Sequence, residues 1–124
     1  MEAGAAKTIL ICEDEEALRE LIRAILGSRY RYGEASDGQE ALELAKELQP
    51  DLVILDLMLP GRSGLDVLAA LREGSANGHT PVVVVTAWSH AQEAVLAAGA
   101  DRFLGKPFEP EALQMAVEEL LGRR

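Results

Sequence analysis

The stretch from Leu52 to Gly64, LVILDLMLPGRSG, constrains the fold more than any other part of the chain. A short apolar run bounded by turn signals, here Leu52 to Leu55, reads as a strand buried on both faces, as in the core of a parallel sheet. Asp56 puts a carboxylate where that strand should end, and Leu57-Met58-Leu59-Pro60-Gly61 follows as a loop. An ionised carboxylate left unpaired in apolar surroundings costs several kcal/mol, so a metal, a cation or reaction chemistry must meet it. A helix cap or turn role at the strand end is the alternative this stretch leaves open.

The rest of the chain alternates in the same style. Thr8 to Cys12 reads as the first strand, and four acids follow it: Glu13, Asp14, Glu15 and Glu16. Leu18, Leu21, Ile22, Ile25 and Leu26 then keep helical spacing until Gly27 offers a stop. A helix dipole accounts for Glu15 and Glu16, but less well for Glu13 and Asp14, which come straight off the strand. Tyr30 to Ala35 carries Arg31, Gly33 and Glu34 and is placed at a sheet edge. Asp37 and Glu40 make a capping box for a second helix with the stripe Ala41, Leu44, Ala45 and Leu48, and Pro50 ends that segment.

Ser63 and Asp66 cap a third helix whose inward residues are Leu65, Leu68 and Ala69, up to Gly74. Glu73 to Thr80 is polar and loop-like. Pro81 to Val85 is the fourth strand, ending in Thr86. Ser89 and Gln92 box a short fourth helix with Ala91, Ala94, Val95 and Ala98 on one face, closed by Gly99. Phe103 to Gly105 is the fifth strand, followed by Lys106-Pro107. The last helix has Pro110 in its first turn and the stripe Leu113, Ala116, Val117 and Leu120. Glu109 stands where a serine or threonine would ordinarily cap it. Five strands alternating with five helices predict an α/β chain: a doubly wound parallel sheet covered on both faces.

Composition narrows the function. The chain of 124 residues suits one domain with one core. A formal charge of −9 argues against direct binding to nucleic acid or anionic membranes and suits a cation site or a partner with a basic face. Cys12 is the lone cysteine, which excludes an internal disulfide and a multi-cysteine zinc site. No apolar run reaches transmembrane length, and Met1-Glu2-Ala3-Gly4 lacks the regions of a signal peptide. The expectation is a soluble, cytoplasmic protein with no membrane contact. Cys12 reads as a core residue, and His79 and His90 as surface residues.

In such sheets, sites lie beyond the carboxyl ends of the strands. Strand one ends in Glu13 and Asp14, strand three in Asp56, strand four in Thr86 and strand five in Lys106. Three carboxylates, a hydroxyl and an ammonium are therefore expected at one rim. Hard oxygen ligands with open positions suit Mg²⁺, which keeps waters and takes a phosphate oxygen. A lysine point charge and a threonine donor complete a phosphoryl site, with Asp56 as candidate nucleophile forming an aspartyl phosphate. Met58 and Trp88 lie two residues beyond Asp56 and Thr86 and should line the pocket mouth.

With ICEDE at 11–15, LVILDLMLPGRSG at 52–64, VVVVTA at 82–87 and GADRFLGKPF at 99–108, the chain resembles the CheY-like receiver domain of two-component response regulators. The resemblance covers residues 7–121 and leaves 1–6 and 122–124 as flexible termini. It implies a flavodoxin-like sheet of strand order 2-1-3-4-5. It also implies that Asp56 accepts phosphate from a sensor histidine kinase, a phosphotransfer protein or a small phosphodonor. The implied Mg²⁺ ligands are Asp14, Asp56, Glu13 through a water, and the Met58 backbone carbonyl. Lys106 would pair with the phosphoryl group, Thr86 would swing toward it, and Phe103 would be the aromatic that changes rotamer with Thr86. Glu13 stands where aspartate is more frequent.

The implied output is binding to a downstream effector protein or domain, as a monomer or a phosphorylation-dependent dimer. A receiver module cut from a longer regulator with a DNA-binding or enzymatic effector is the alternative. A true turnover enzyme, such as a Mg²⁺-dependent aspartyl-phosphate phosphatase, would want a second aspartate where Met58 stands. A nucleotide or flavin binder on the same sheet would meet repulsion from Glu13 to Glu16.

Overall fold

The computed structural model describes residues 6–74 and 78–122. Most of the expected flexible termini, and the middle of the loop expected after Glu73, lie outside the described residues. Elements alternate in chain order: β1 (Thr8–Cys12), α1 (Glu16–Leu26), β2 (Arg31–Ala35), α2 (Gly38–Leu48), β3 (Leu52–Leu55), α3 (Gly64–Glu73), β4 (Val82–Thr86), α4 (Gln92–Ala97), β5 (Arg102–Gly105) and α5 (Pro110–Leu121). A 3-10 turn, Ser89–Ala91, precedes α4. The five strands form one parallel sheet of order β2-β1-β3-β4-β5. This is the expected doubly wound, flavodoxin-like α/β fold.

Alternation along the strands divides the core in two. Leu10, Cys12, Val53, Leu55, Val82 and Val84 face α2, α3 and α4, where Ala41, Ala45, Val67, Leu68, Leu71 and Val95 meet them. Ile9, Ile11, Leu52, Ile54, Val83 and Val85 face α1 and α5, against Ile22, Leu26, Leu113, Ala116 and Val117. Covering both faces is why β1, β3 and β4 are apolar almost throughout, whereas β2 at the edge is mostly half-buried.

The helix ends follow their sequence signals with some corrections. Asp37 Oδ1 accepts from the Glu40 amide at 2.8 Å, while Glu40 Oε1 reaches back to the Ser36 amide at 2.8 Å, one residue before the cap. Ser63 Oγ accepts from the Asp66 amide at 3.2 Å. The expected Ser89–Gln92 box does not form. Ser89 opens the 3-10 turn instead, and the residue before α4, Ala91, has no capping side chain. Ala94 and Ala98 are exposed, because so short a helix buries only one row. In α3 the inward row is Val67, Leu68 and Leu71, leaving Ala69 exposed, and in α1 Leu21 faces outward.

Two glycines let the loop after β3 fold back on itself. A Cβ at Gly64 would lie 2.3 Å from Leu57 Cα and 2.4 Å from the Asp56 carbonyl oxygen. One at Gly38 would lie 2.2 Å from the Arg62 carbonyl oxygen, so α2 abuts the same loop. At the opposite end of the sheet, Arg72 fastens two connections. Its guanidinium donates to the Gly99 carbonyl from Nε at 3.0 Å and Nη2 at 2.8 Å, and to the Thr80 carbonyl from Nη1 at 2.8 Å. Nη2 also meets Asp101 Oδ2 at 3.0 Å, which in turn accepts from the Val82 amide at 2.8 Å.

Candidate functional site

Register brings the strand ends to one level. Cys12 pairs with Leu55, so Glu13 and Asp56 leave neighbouring strands side by side, and the Asp56 amide donates to the Cys12 carbonyl at 3.0 Å. Thr86 pairs with Gly105, and the Lys106 amide donates to the Thr86 carbonyl at 2.8 Å. Lys106 thus starts one step beyond β5 and extends its ammonium across the rim.

That ammonium is the centre of the site. Lys106 Nζ lies 2.8 Å from Glu13 Oε1 and 2.8 Å from Asp56 Oδ2. Both acids are buried, Glu13 at 3% and Asp56 at 4% exposure, so each needs its partners. Glu13 Oε2 also accepts from the Glu15 amide at 3.1 Å, and Asp56 Oδ1 from the Met58 amide at 3.1 Å. Burial pushes Asp56 up, but hydrogen bonds from Lys106 and the Met58 amide, with the ammonium's charge, outweigh it and hold the carboxyl below its ordinary value. Burial also pushes Glu13 up, and there the same ammonium only partly offsets it. Burial favours neutral Lys106, yet hydrogen bonds to Asp56 and Glu13 keep its pKa above the ordinary lysine value. At neutral pH, Asp56 is a carboxylate facing an ammonium.

Asp14 joins from the exposed side. One carboxylate oxygen each from Glu13, Asp14 and Asp56 lies within 4.8 Å of the others. An all-oxygen donor set with one open flank fits a hard divalent cation such as Mg²⁺. Such an arrangement can steady negative charge delivered to Asp56 and leaves a carboxylate oxygen to act as nucleophile.

The remaining expected residues are distributed as follows. Thr86 is fully buried as the last residue of β4, and its Oγ1 accepts from the Trp88 amide at 3.3 Å. Phe103 pairs with Val84, which puts it on the same face of the sheet as Thr86, half-buried against the α2–α4 layer. Met58 and Trp88 are 62% and 49% exposed, and each returns its backbone amide to the site side chain two residues before it. Cys12 is buried, with its thiol pushed up by desolvation, and His79 and His90 are exposed.

Two arginines escaped the sequence reading. Arg19 donates to the Glu13 carbonyl, and Arg72 forms the fastening described above. Only the charge of Arg19 within a turn of the acids could have flagged it. Its acidic partner, Glu34, is fifteen residues away and becomes a neighbour only through the β1–β2 register.

A family model, the response regulator receiver domain, matches residues 9–118, and the chain belongs to that family. It is a receiver domain of the kind used in two-component signalling. Over 118 residues it is 40% identical to the DNA-binding response regulator MtrA of Mycolicibacterium paratuberculosis, covering 93% of this chain and 51% of that one. The chain thus spans about half the length of the first curated relatives it matches. It is 32% identical over 117 residues to the chemotaxis protein CheY of Halobacterium salinarum, covering 94% of this chain and 98% of that one. The receiver domain of sensor histidine kinase PA1611 from Pseudomonas aeruginosa PAO1 superposes with a TM-score of 0.85 at 29% identity, covering 95% of this chain and 99% of that one. That structure carries a magnesium ion coordinated in the active-site cleft. Among the described residues, no helix is long and apolar enough to cross a membrane.

Proposed function

We propose that this domain is a phosphorylation-activated switch in which Asp56 is the phosphoacceptor. The observation that carries the reading is the Lys106 ammonium, 2.8 Å from an Asp56 carboxylate held ionised within a cluster of three acids. An Asp56 carboxylate oxygen attacks phosphorus. The bond from phosphorus to its donor breaks, and the electron pair leaves on the donor, a histidine-kinase imidazole, a phosphotransfer protein or a small molecule such as acetyl phosphate.

Asp14 and Asp56 would hold Mg²⁺ directly, with Glu13 acting through a water and the Met58 carbonyl as a further ligand. The magnesium site seen in the PA1611 receiver supports this assignment. Bound Mg²⁺ supplies charge neutralisation on the transferring oxygens. Lys106 then exchanges a carboxylate partner for a phosphoryl oxygen. Thr86 gives up its bond with the Trp88 amide to reach the same group, and Phe103 follows on that face. The output is altered binding to an effector rather than catalytic turnover, since Met58 offers no acid to assist a leaving group. The setting is the cytoplasm, with no direct contact with nucleic acid. The half-length match to a DNA-binding regulator supports a variant reading, in which this receiver, spanning about 7–121, governs an attached effector.

Incubation with acetyl phosphate and Mg²⁺ should add one phosphoryl group by intact mass, and EDTA or Asp56→Asn should abolish it. A phosphorylated Asp56→Asn protein would overturn the assignment.

A further inference from the structure

The acidic loop after β1 is held by a cation outside the carboxylate–lysine cluster. Arg19, on the first turn of α1, donates from Nη1 to the Glu13 carbonyl oxygen at 2.7 Å and from Nε to Glu34 Oε1 on β2 at 2.8 Å. The other Glu34 oxygen pairs with Arg23 Nη1, so the acid that aims Arg19 is itself held from a second side. The Arg19 side chain is 16% exposed, sheltered enough for these contacts to hold it in one geometry. The Glu13 amide donates to the Ala35 carbonyl at 2.9 Å, so both faces of this residue's backbone are tied to β2 or to its partner arginine.

The Glu13 carbonyl and the Asp14 amide belong to one rigid, planar peptide unit. Fixing that oxygen sets the plane from which Asp14 departs. Asp14 is exposed, unlike Glu13 and Asp56, and the peptide that carries it sets the Cα position from which its carboxylate reaches the other two. We propose that Arg19, aimed by Glu34, is a positioning residue for Asp14, and thereby sets how tightly Glu13, Asp14 and Asp56 together hold a divalent cation. The proposal rests on the reading of that cluster as a Mg²⁺ site.

Charge and positioning predict opposite signs. A guanidinium beside the cluster repels a dication, so if Arg19 acted through charge alone its removal would tighten Mg²⁺ binding. Positioning predicts weakening, by roughly tenfold, since contacts that orient a ligand commonly contribute that much to metal affinity. Arg19→Lys separates the two further. It keeps the charge but loses the forked donors that span Glu13 and Glu34 together.

The test is calorimetric titration of the whole chain with MgCl₂, alongside its melting temperature and the rate of Asp56 phosphorylation by phosphoramidate at limiting and saturating Mg²⁺. Expected results are a weaker Mg²⁺ Kd in Arg19→Ala and Arg19→Lys and a smaller loss in Glu34→Gln. Phosphorylation should be slow at limiting Mg²⁺ and recover toward wild type at saturation. If Arg19→Ala does not fold, Arg19→Lys decides the matter, because it holds the charge constant, whereas Glu34→Gln removes a negative charge and weakens Mg²⁺ binding on electrostatic grounds as well. A Kd unchanged or tighter in the folded variants, with or without a lower melting temperature, overturns the positioning role and leaves the Mg²⁺ site standing. Wild-type protein that takes up no Mg²⁺ at millimolar concentration overturns the metal reading itself, and this inference with it.

Discussion

Replacing Lys106 with methionine tests the electrostatics of the rim most directly. One ammonium faces two buried carboxylates at 2.8 Å each. At an effective dielectric near 20, each contact amounts to about 6 kcal/mol before desolvation is subtracted. Removing one partner of a buried pair costs about 3 to 5 kcal/mol, because a charge is left without compensation. The Lys106 side chain is 19% exposed, so water reaches the group and the lower end applies. Methionine keeps most of the apolar stem, so lost packing adds little.

Lys106→Met should therefore lose about 3 kcal/mol in urea unfolding at pH 7 in EDTA, with an unchanged m-value. Adding Glu13→Gln to that variant removes one of two facing negative charges and should restore about 1 kcal/mol or more. Mg²⁺ should stabilise Lys106→Met more than wild type, since the cation takes over the missing charge; at one hundred times its Kd it contributes about 2.7 kcal/mol. A Lys106→Met protein within about 0.5 kcal/mol of wild type, the usual range of a surface substitution, would refute the reasoning. So would a double variant less stable than Lys106→Met.

Other predictions follow from caps, access and titration. The Glu109 side chain makes no capping hydrogen bond to α5, so Glu109→Ser should stabilise by a few tenths to about 1 kcal/mol in thermal or urea unfolding; a clear loss would reveal another partner for Glu109. Met58→Asn with Trp88→Ala should shorten the lifetime of phosphorylated Asp56 severalfold in single-turnover decay, by admitting an in-line water, and decay no faster than wild type would remove both residues from that role. The acid limb has two opposing parts. Glu13, raised above its ordinary 4.5, penalises the fold as pH climbs through its folded value, whereas Asp56, lowered below 3.8, supports the fold above that pH and withdraws support as pH falls through its folded value. Urea midpoints should thus rise slightly on mild acidification and fall steeply at lower pH, and Glu13→Gln should flatten the rise alone.

The sequence carried the sheet and most of the rim because both depend on local signals. Leu52–Leu55, Val82–Val85 and Ile9–Ile11 are short runs apolar at successive positions, the pattern of a strand covered on two faces. Once these three and the less apolar β2 and β5 are laid parallel, Glu13, Asp14, Asp56, Thr86 and Lys106 must share an edge. What escaped is what depends on register or on competition between weak signals. The pairing of Arg19 with Glu34 needs the exact neighbour relation of β1 and β2, which no spacing within either strand encodes. Around Ser89 two start signals compete. The serine box suggested one helix, but the chain makes a 3-10 turn first, and the row that reaches the core shrinks to Ala91 and Val95.

That short fourth helix sets the energy scale of the molecule's excursions. With α4 held chiefly by one fully buried valine and the alanine before the helix, lifting it from the sheet costs on the order of 2 to 4 kcal/mol. A gap of that size would correspond to a displaced conformer at between about 0.1% and a few per cent of molecules at equilibrium. Arg72 clamps the Gly99 carbonyl just beyond the helix, so an excursion of α4 would be expected to pivot about that end and leave the α4–β5 connection intact. Any event at the rim that favours such a displaced conformer by more than that gap would invert the two populations.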